Sequence, residues 1–163
     1  MGVSMRGGFS LLALTAGALF IVGVVVGEWM NVQPCPLCIF QRLLYLLVAG
    51  LALVGVALPA WHRIWGLLVV LTAGGGVATA VYQSWLQFFP SASRECGFGE
   101  PTLIEQIVDW FGVRWPSLFM ATGFCSSRDW DFLGLSLANW SALCFLALTV
   151  AALCVLLRHP DQR

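Results

Sequence analysis

Pro34-Cys35-Pro36-Leu37-Cys38-Ile39-Phe40-Gln41-Arg42 runs directly into sixteen uncharged residues, 43–58. Two cysteines separated by two residues can close a small disulfide, and that spacing recurs where thiols are redox-active. Here the pair opens a long apolar segment, so the thiols stand at the mouth of a membrane helix. A helix N-terminus presents unpaired N–H groups and positive potential, and both stabilise a thiolate. Positions 35, 38 and 42 follow i, i+3, i+7 and share one face if the first turn is helical. Arg42 then sits one turn deeper than Cys38, just inside lipid, where a cation is costly and usually partnered. It either snorkels to the headgroups or stabilises a nearby anion, such as the Cys38 thiolate or an oxygen of a reducible cofactor.

Three further apolar runs extend outward from this segment. Residues 9–27 and 64–82 are each nineteen residues without a charge, and 135–157 gives twenty-three. Nineteen residues make a helix of about 28 Å, close to the thickness of a bilayer core. Span 39–58 is the weakest, because Gln41 and Arg42 occupy its first turns. Hydrophobic residues make up 60% of the 163-residue chain and charged residues 10%, with eight arginines and no lysine. Sixteen charges cannot cover a soluble sphere of this size. A formal net charge of zero with no basic run excludes a nucleic-acid binder, and the apolar content excludes a disordered chain. The expected fold is an all-α integral membrane protein, a four-transmembrane-helix bundle forming one domain over 1–163. The first span carries Arg6 before it like a signal peptide, but it is longer than the usual apolar core of one and no A-x-A site follows, so it is expected to stay.

Arginine density sets the orientation. Residues 1–8, 59–63 and 158–163 carry Arg6, Arg63, Arg158 and Arg163, whereas the much longer 28–38 and 83–134 carry only Arg94, Arg114 and Arg128. Both termini are therefore expected in the cytoplasm, with one short and one long loop outside. Zero net charge conceals a separation: four arginines against Asp161 inside, and Arg42, Arg94, Arg114 and Arg128 against seven acids outside. The 83–134 loop is too long for a plain connection. Pro101-Thr102-Leu103-Ile104-Glu105 reads as a capping box opening a short helix, with Leu103, Ile104, Ile107, Val108 and Phe111 on one face. That helix packs on the bundle or lies in the membrane interface; Trp110 and Trp115 favour the interface.

Topology sorts the six cysteines. Cys144 and Cys154 lie within the last span and read as small apolar filler. Cys35, Cys38, Cys96 and Cys125 lie outside, where thiols meet an oxidising environment. A zinc site would need Cys96 and Cys125 to converge with the first pair, and they are 29 residues apart with no knuckle geometry. His62 and His159 fall on the cytoplasmic side, so neither a metal nor a haem is expected. Two structural disulfides in a membrane scaffold or assembly factor remain the alternative from another class. Such a scaffold gives no reason to place Arg42 one turn below a Cys-x-x-Cys pair.

The chain resembles the bacterial disulfide bond formation protein B (DsbB) family, four-helix inner-membrane thiol:quinone oxidoreductases. The resemblance rests on Pro34-Cys35-x-x-Cys38-Ile39-x-x-Arg42 and on a second signature. This is Trp115-Pro116, then Ala121-x-Gly123-x-Cys125, then Trp130-x-Phe132-Leu133-Gly134-Leu135. It implies that Cys96 and Cys125 in the long periplasmic loop form the disulfide that accepts electrons from the soluble dithiol oxidase DsbA. Cys96 would make the mixed disulfide with DsbA, and 91–99 is the stretch that must reach this partner. Cys125 would then attack Cys35, and the released Cys38 thiolate would pass electrons to a membrane quinone, with Arg42 polarising a quinone oxygen. Ubiquinone is the first expectation and menaquinone the second. A bilayer-dissolved quinone meets the need for an acceptor of higher potential without a metal.

One departure stands out. Well-studied members of the family carry a histidine near the outer end of the third helix that helps bind the quinone. Thirteen residues before Cys96 this sequence has Gln83, which donates a hydrogen bond but cannot titrate near neutrality. Gln87 and Glu28 are further candidates there. A vitamin K epoxide reductase-like enzyme is the same-class alternative; in that family the membrane cysteine pair follows the loop cysteines, whereas here it precedes them.

Overall fold

The computed structural model describes residues 5–31, 33–89, 102–127 and 131–157. Four helices are long and apolar enough to cross a membrane. They are α1 (Met5–Trp29), α2 (Pro36–Ala57), α3 (His62–Phe88) and, after the outer loop, α6 (Leu137–Leu157). The 22 residues of α2 extend about 33 Å at ~1.5 Å each, enough for the bilayer core. Pro36 opens α2 with its φ preset and no N–H to leave unpaired. At the other end Pro59 disfavours helical geometry at Leu58, which takes φ −117° and ψ 68°. A 3-10 turn, Pro59–Trp61, then reverses the chain into α3.

α1 runs against α2, α2 against α3 and α3 against α6, while α1 and α6 touch more lightly. Their common core is Phe9, Ala16, Val48, Ala52, Val69, Ala73, Phe145 and Ala152. Lipid tails are as apolar as these side chains, so the helices associate by close packing and not by escape from water. Small residues make that approach possible. Phe145 of α6 lies so close to Gly76 of α3 that a Cβ there would collide with its ring. On its other side the same ring stacks on Tyr45 of α2, with centroids 4.0 Å apart and planes 6° from parallel.

Polar residues enter the bundle at its outer end. Ser84 donates to Asn139 Oδ1 at 2.7 Å, joining α3 to α6, and Ser136 donates to Gln87 Oε1 at 2.7 Å. Gln87 also donates to the Ser127 carbonyl. Gln87 thus ties the end of the outer loop to α3.

The outer loop contributes α4 (Leu103–Arg114) and a single turn, α5 (Pro116–Phe119). The capping box read from the sequence is present: Thr102 accepts from the Glu105 N–H, and Glu105 accepts from the Thr102 N–H. The two readings of this helix divide its surface between them. Ile104, Val108 and Phe111 pack against Ile39 and Phe119, whereas Leu103, Trp110 and Val113 face outward, with Val113 84% exposed. Arg114 lies over the Trp110 ring, 3.9 Å from its centroid.

Span 135–157 becomes helical only from Leu137. Asp131–Phe132 (β1) and Leu135–Ser136 (β2) pair antiparallel, with Phe132 opposite Leu135. Leu133 and Gly134 turn between them at φ 55° and 75°. Positive φ at both central positions marks the tight turn that matches strand twist. Trp140 caps this hairpin by donating to the Phe132 carbonyl.

Candidate active site

Cys35 is the N-cap of α2, and its sulfur accepts from the Cys38 N–H at 3.3 Å. The first turn is helical from Pro36, which brings the two sulfurs to 2.9 Å as a hydrogen-bonded thiol pair. The two cysteines face different surroundings. Cys35 is 2% exposed, packed with Leu37 and Leu86 and in hydrogen-bonding reach of Cys125. Hydrogen bonds with the Cys125 and Cys38 sulfurs, together with burial, hold the Cys35 thiol well above the ordinary thiol range. Cys38 instead lines a cavity of about 170 Å³.

Arg42 and Tyr45 of α2, Gln83 of α3 and Ser141 of α6 line the same cavity, and Gly23 and Gly27 of α1 close its side. Arg42 donates to the Gly23 carbonyl of α1 and to the Leu118 carbonyl of α5, each at 3.1 Å. A Cβ on Gly27 would fall 2.7 Å from its terminal nitrogen, so Gly27 of α1 makes room for the guanidinium. The charge is therefore held by carbonyl dipoles, with Glu28 near enough to act on it. The carbonyls carry no formal charge, so the guanidinium stands as a cation in the same cavity as Cys38.

Gln83 is 3% exposed and donates to the Cys38 sulfur at 3.0 Å and to the Cys35 sulfur at 3.4 Å. It accepts in turn from Gln41 at 2.8 Å. Gln41, 5% exposed, faces inward, and the sequence reading treated it only as a polar interruption of span 39–58. Gln87, considered as a helper, is occupied by Ser127 and Ser136 instead.

The Cys125 segment is docked on the segment before Cys35. Thr122 and Gly123 both donate to the Pro34 carbonyl, at 2.9 and 3.1 Å. Gly123 lies so close to the Gln33 carbonyl that a Cβ could not fit. This accounts physically for glycine two residues before Cys125. Cys96, with 91–99 around it, lies outside the described residues.

Cys144, expected to be apolar filler, is half-buried and lines the cavity, together with Tyr45 and Ser141. A second, apolar groove of about 410 Å³ runs between α1 and α6 and shares Leu19 and Cys144 with the first. The signal for Tyr45 was its position, i+3 from Arg42 and i+7 from Cys38. Nothing of that kind marks Ser141 or Cys144 on a helix that is apolar all round.

Fold and site together define a helical membrane protein whose outer end presents a thiol pair to a cavity within the bundle. The comparisons with known proteins narrow that class. The family model described as Disulfide bond formation protein DsbB matches residues 5–155. The chain is 46% identical over 156 residues to Disulfide bond formation protein B of Dechloromonas aromatica (strain RCB), covering 96% of this chain and 94% of that protein. It is 41% identical to the protein of the same name from Azoarcus sp. (strain BH72), over 85% and 84% of the two chains. With that of Polaromonas sp. (strain JS666 / ATCC BAA-500) it shares 37% identity over 94% and 92%. The chain belongs to the DsbB family of thiol:quinone oxidoreductases.

Proposed function

We propose the following residue assignment for the family's reaction, reoxidation of DsbA with transfer of the electrons to a membrane quinone. The observation that carries it is that Cys38 and Arg42 line one cavity while Cys35 faces the Cys125 segment. Cys35 and Cys38 thereby have opposite neighbours, one for receiving electrons and one for passing them on.

Reduced DsbA attacks the Cys96–Cys125 disulfide at Cys96, releasing the Cys125 thiolate. Its second thiol displaces Cys96, so DsbA leaves with a disulfide and two electrons stay in the loop pair. Cys125 attacks Cys35 of the Cys35–Cys38 disulfide, and the Cys38 thiolate departs into the cavity. Cys96 then displaces Cys125 from Cys35, restoring the loop disulfide and leaving Cys35 as a thiol beside Cys38. Quinone supplies a two-electron, two-proton acceptor, so each DsbA dithiol yields one disulfide and one quinol. Arg42 supplies positive charge to the Cys38 thiolate and to an acceptor oxygen, and Gln83 supplies a hydrogen bond to the sulfur.

The cavity residues suit such an acceptor. The lining is mostly apolar with a few polar groups, and the α1–α6 groove gives an apolar tail a path from lipid. Ubiquinone is the first candidate acceptor and menaquinone the second. The partner is a DsbA-like periplasmic dithiol oxidase, recognised through the stretch around Cys96. The arginine distribution supports a bacterial inner-membrane protein forming one domain with both termini in the cytoplasm and one short and one long loop in the periplasm, α4 lying at the interface.

Purified full-length protein, reduced DsbA and ubiquinone, followed by quinone absorbance, tests the reading. One quinone should be consumed for each DsbA oxidised. Oxidation of DsbA without quinone loss would overturn it.

A further inference from the structure

Gln41 and Gln83 are 42 residues apart in sequence and belong to different helices, yet their amides meet inside the bundle at 2.8 Å. Both are nearly fully buried, at 5% and 3% exposure. A buried primary amide has two donors and two acceptor sites, and its rotamer decides which end meets a neighbour. The neighbour here is sulfur, and a thiolate can only accept. Gln83 supports a thiolate only if its NH₂ faces the pair, as it does at 3.0 and 3.4 Å. Turned over, it would place the amide oxygen against the sulfur and repel the electrons arriving there. The choice is settled at the other end of Gln83, where the oxygen receives a donor.

We propose that Gln41 is a positioning residue: by donating to Gln83 Oε1 it fixes the Gln83 amide with its NH₂ toward Cys38 and so sets how readily Cys38 carries negative charge. Gln41 also lines the cavity, but its effect on the sulfur passes through Gln83. Neither amide titrates, so their support for the sulfur is constant with pH. The titratable and charged groups around Cys38 are Cys35 on its own helix, Cys125 of the outer loop packed behind Cys35, Arg42 one turn below with Glu28 of α1 acting on it, and Tyr45 and Cys144, which line the same cavity. This inference rests on Cys38 being the sulfur that faces the acceptor, which quinone reduction by the Cys38→Ser variant tests independently.

The test reads Cys38 alone, without DsbA or quinone. In full-length protein carrying Cys35→Ser, alkylation of Cys38 by iodoacetamide is followed as a function of pH, with peptide mapping to assign the site. Gln83→Met should lower the neutral-pH rate about tenfold, equivalent to about 1.4 kcal/mol in thiolate stability, and move the profile to higher pH. Gln41→Met should lower it by a smaller factor, roughly threefold. The double variant should match Gln83→Met alone, because Gln41 has nothing left to position. A second cycle with Gln41→Glu keeps the side-chain volume and serves if methionine prevents assembly. Its direct charge effect persists in the Gln83→Met background, while the orientation effect vanishes there. Additive losses in both cycles, or an unchanged profile in Gln41→Met, would overturn the proposal.

Discussion

The two ends of the four-helix bundle are built on different principles. Toward the α2–α3 turn, the core is apolar and closely packed, with Phe9, Ala52, Val69, Ala73 and Ala152 filling it. Toward the outer face, buried and half-buried amides and hydroxyls join elements: Gln41 to Gln83, Ser84 to Asn139, Ser136 to Gln87. Transmembrane hydrogen bonds contribute only about 0.6 kcal/mol each on average, so stability alone is a weak reason to bury these groups. Of these bonds only Gln41–Gln83 leads to the sulfurs, through Gln83; those of Ser84 and Gln87 tie α3 to α6 and to the segment before it. One end is closed by packing alone, and the other adds polar ties and a buried amide pair beside Cys38.

Substitutions at the two ends should therefore fail differently. Cys38→Ser should reduce quinone reduction by DsbA to background while the helices remain assembled; a wild-type rate would place electron exit elsewhere. Arg42→Ala should cost on the order of a hundredfold in turnover, as for loss of a placed electrostatic stabiliser. Arg63→Ala, next to the 3-10 turn at the inner end, should leave the rate unchanged. Equal effects would mean that Arg42 serves only as a membrane-surface charge. Gly123→Ala should slow DsbA oxidation roughly tenfold, because it pushes the Cys125 segment off the Gln33 carbonyl. Its thermal unfolding should shift little, which separates misplacement from collapse. Ser84→Ala should cost about 0.6 kcal/mol of stability in a detergent unfolding series and barely alter turnover. Replacing Cys144 and Cys154 together with Ala should leave turnover within about twofold. A large loss would assign Cys144 a part in the cavity beyond filling it.

The inner end was almost fully legible from sequence, since uncharged runs of nineteen or more residues leave few alternatives to a membrane helix. At the outer end legibility tracked how local each signal is. Thr102 and Glu105 announced the start of α4 because a capping box is complete within four residues. The i, i+3, i+7 spacing of Cys35, Cys38 and Arg42 placed two of them on one cavity, with Cys35 turned behind as the cap. The Gln41–Gln83 contact gave no such sign, because the residues are neutral, distant in sequence and joined only by the packing of α2 on α3. The Leu133–Gly134 turn was missed for a related reason, as leucine is uncommon at positive φ. Cys144 shows the limit of periodicity: an all-apolar helix does not reveal which face meets a cavity.

The central claim is that electrons enter the inner pair at Cys35, from Cys125, and leave it from Cys38. Trapping tests it most directly: the full-length protein with all its cysteines is reacted with reduced DsbA whose second, resolving cysteine is replaced by serine, free thiols are blocked, and disulfide-linked peptides are mapped without reduction. The account predicts Cys96 joined to DsbA, a Cys35–Cys125 linkage, and Cys38 recovered as a blocked thiol. Recovery of a Cys38–Cys125 linkage with Cys35 blocked, while Cys96 is joined to DsbA, would contradict it.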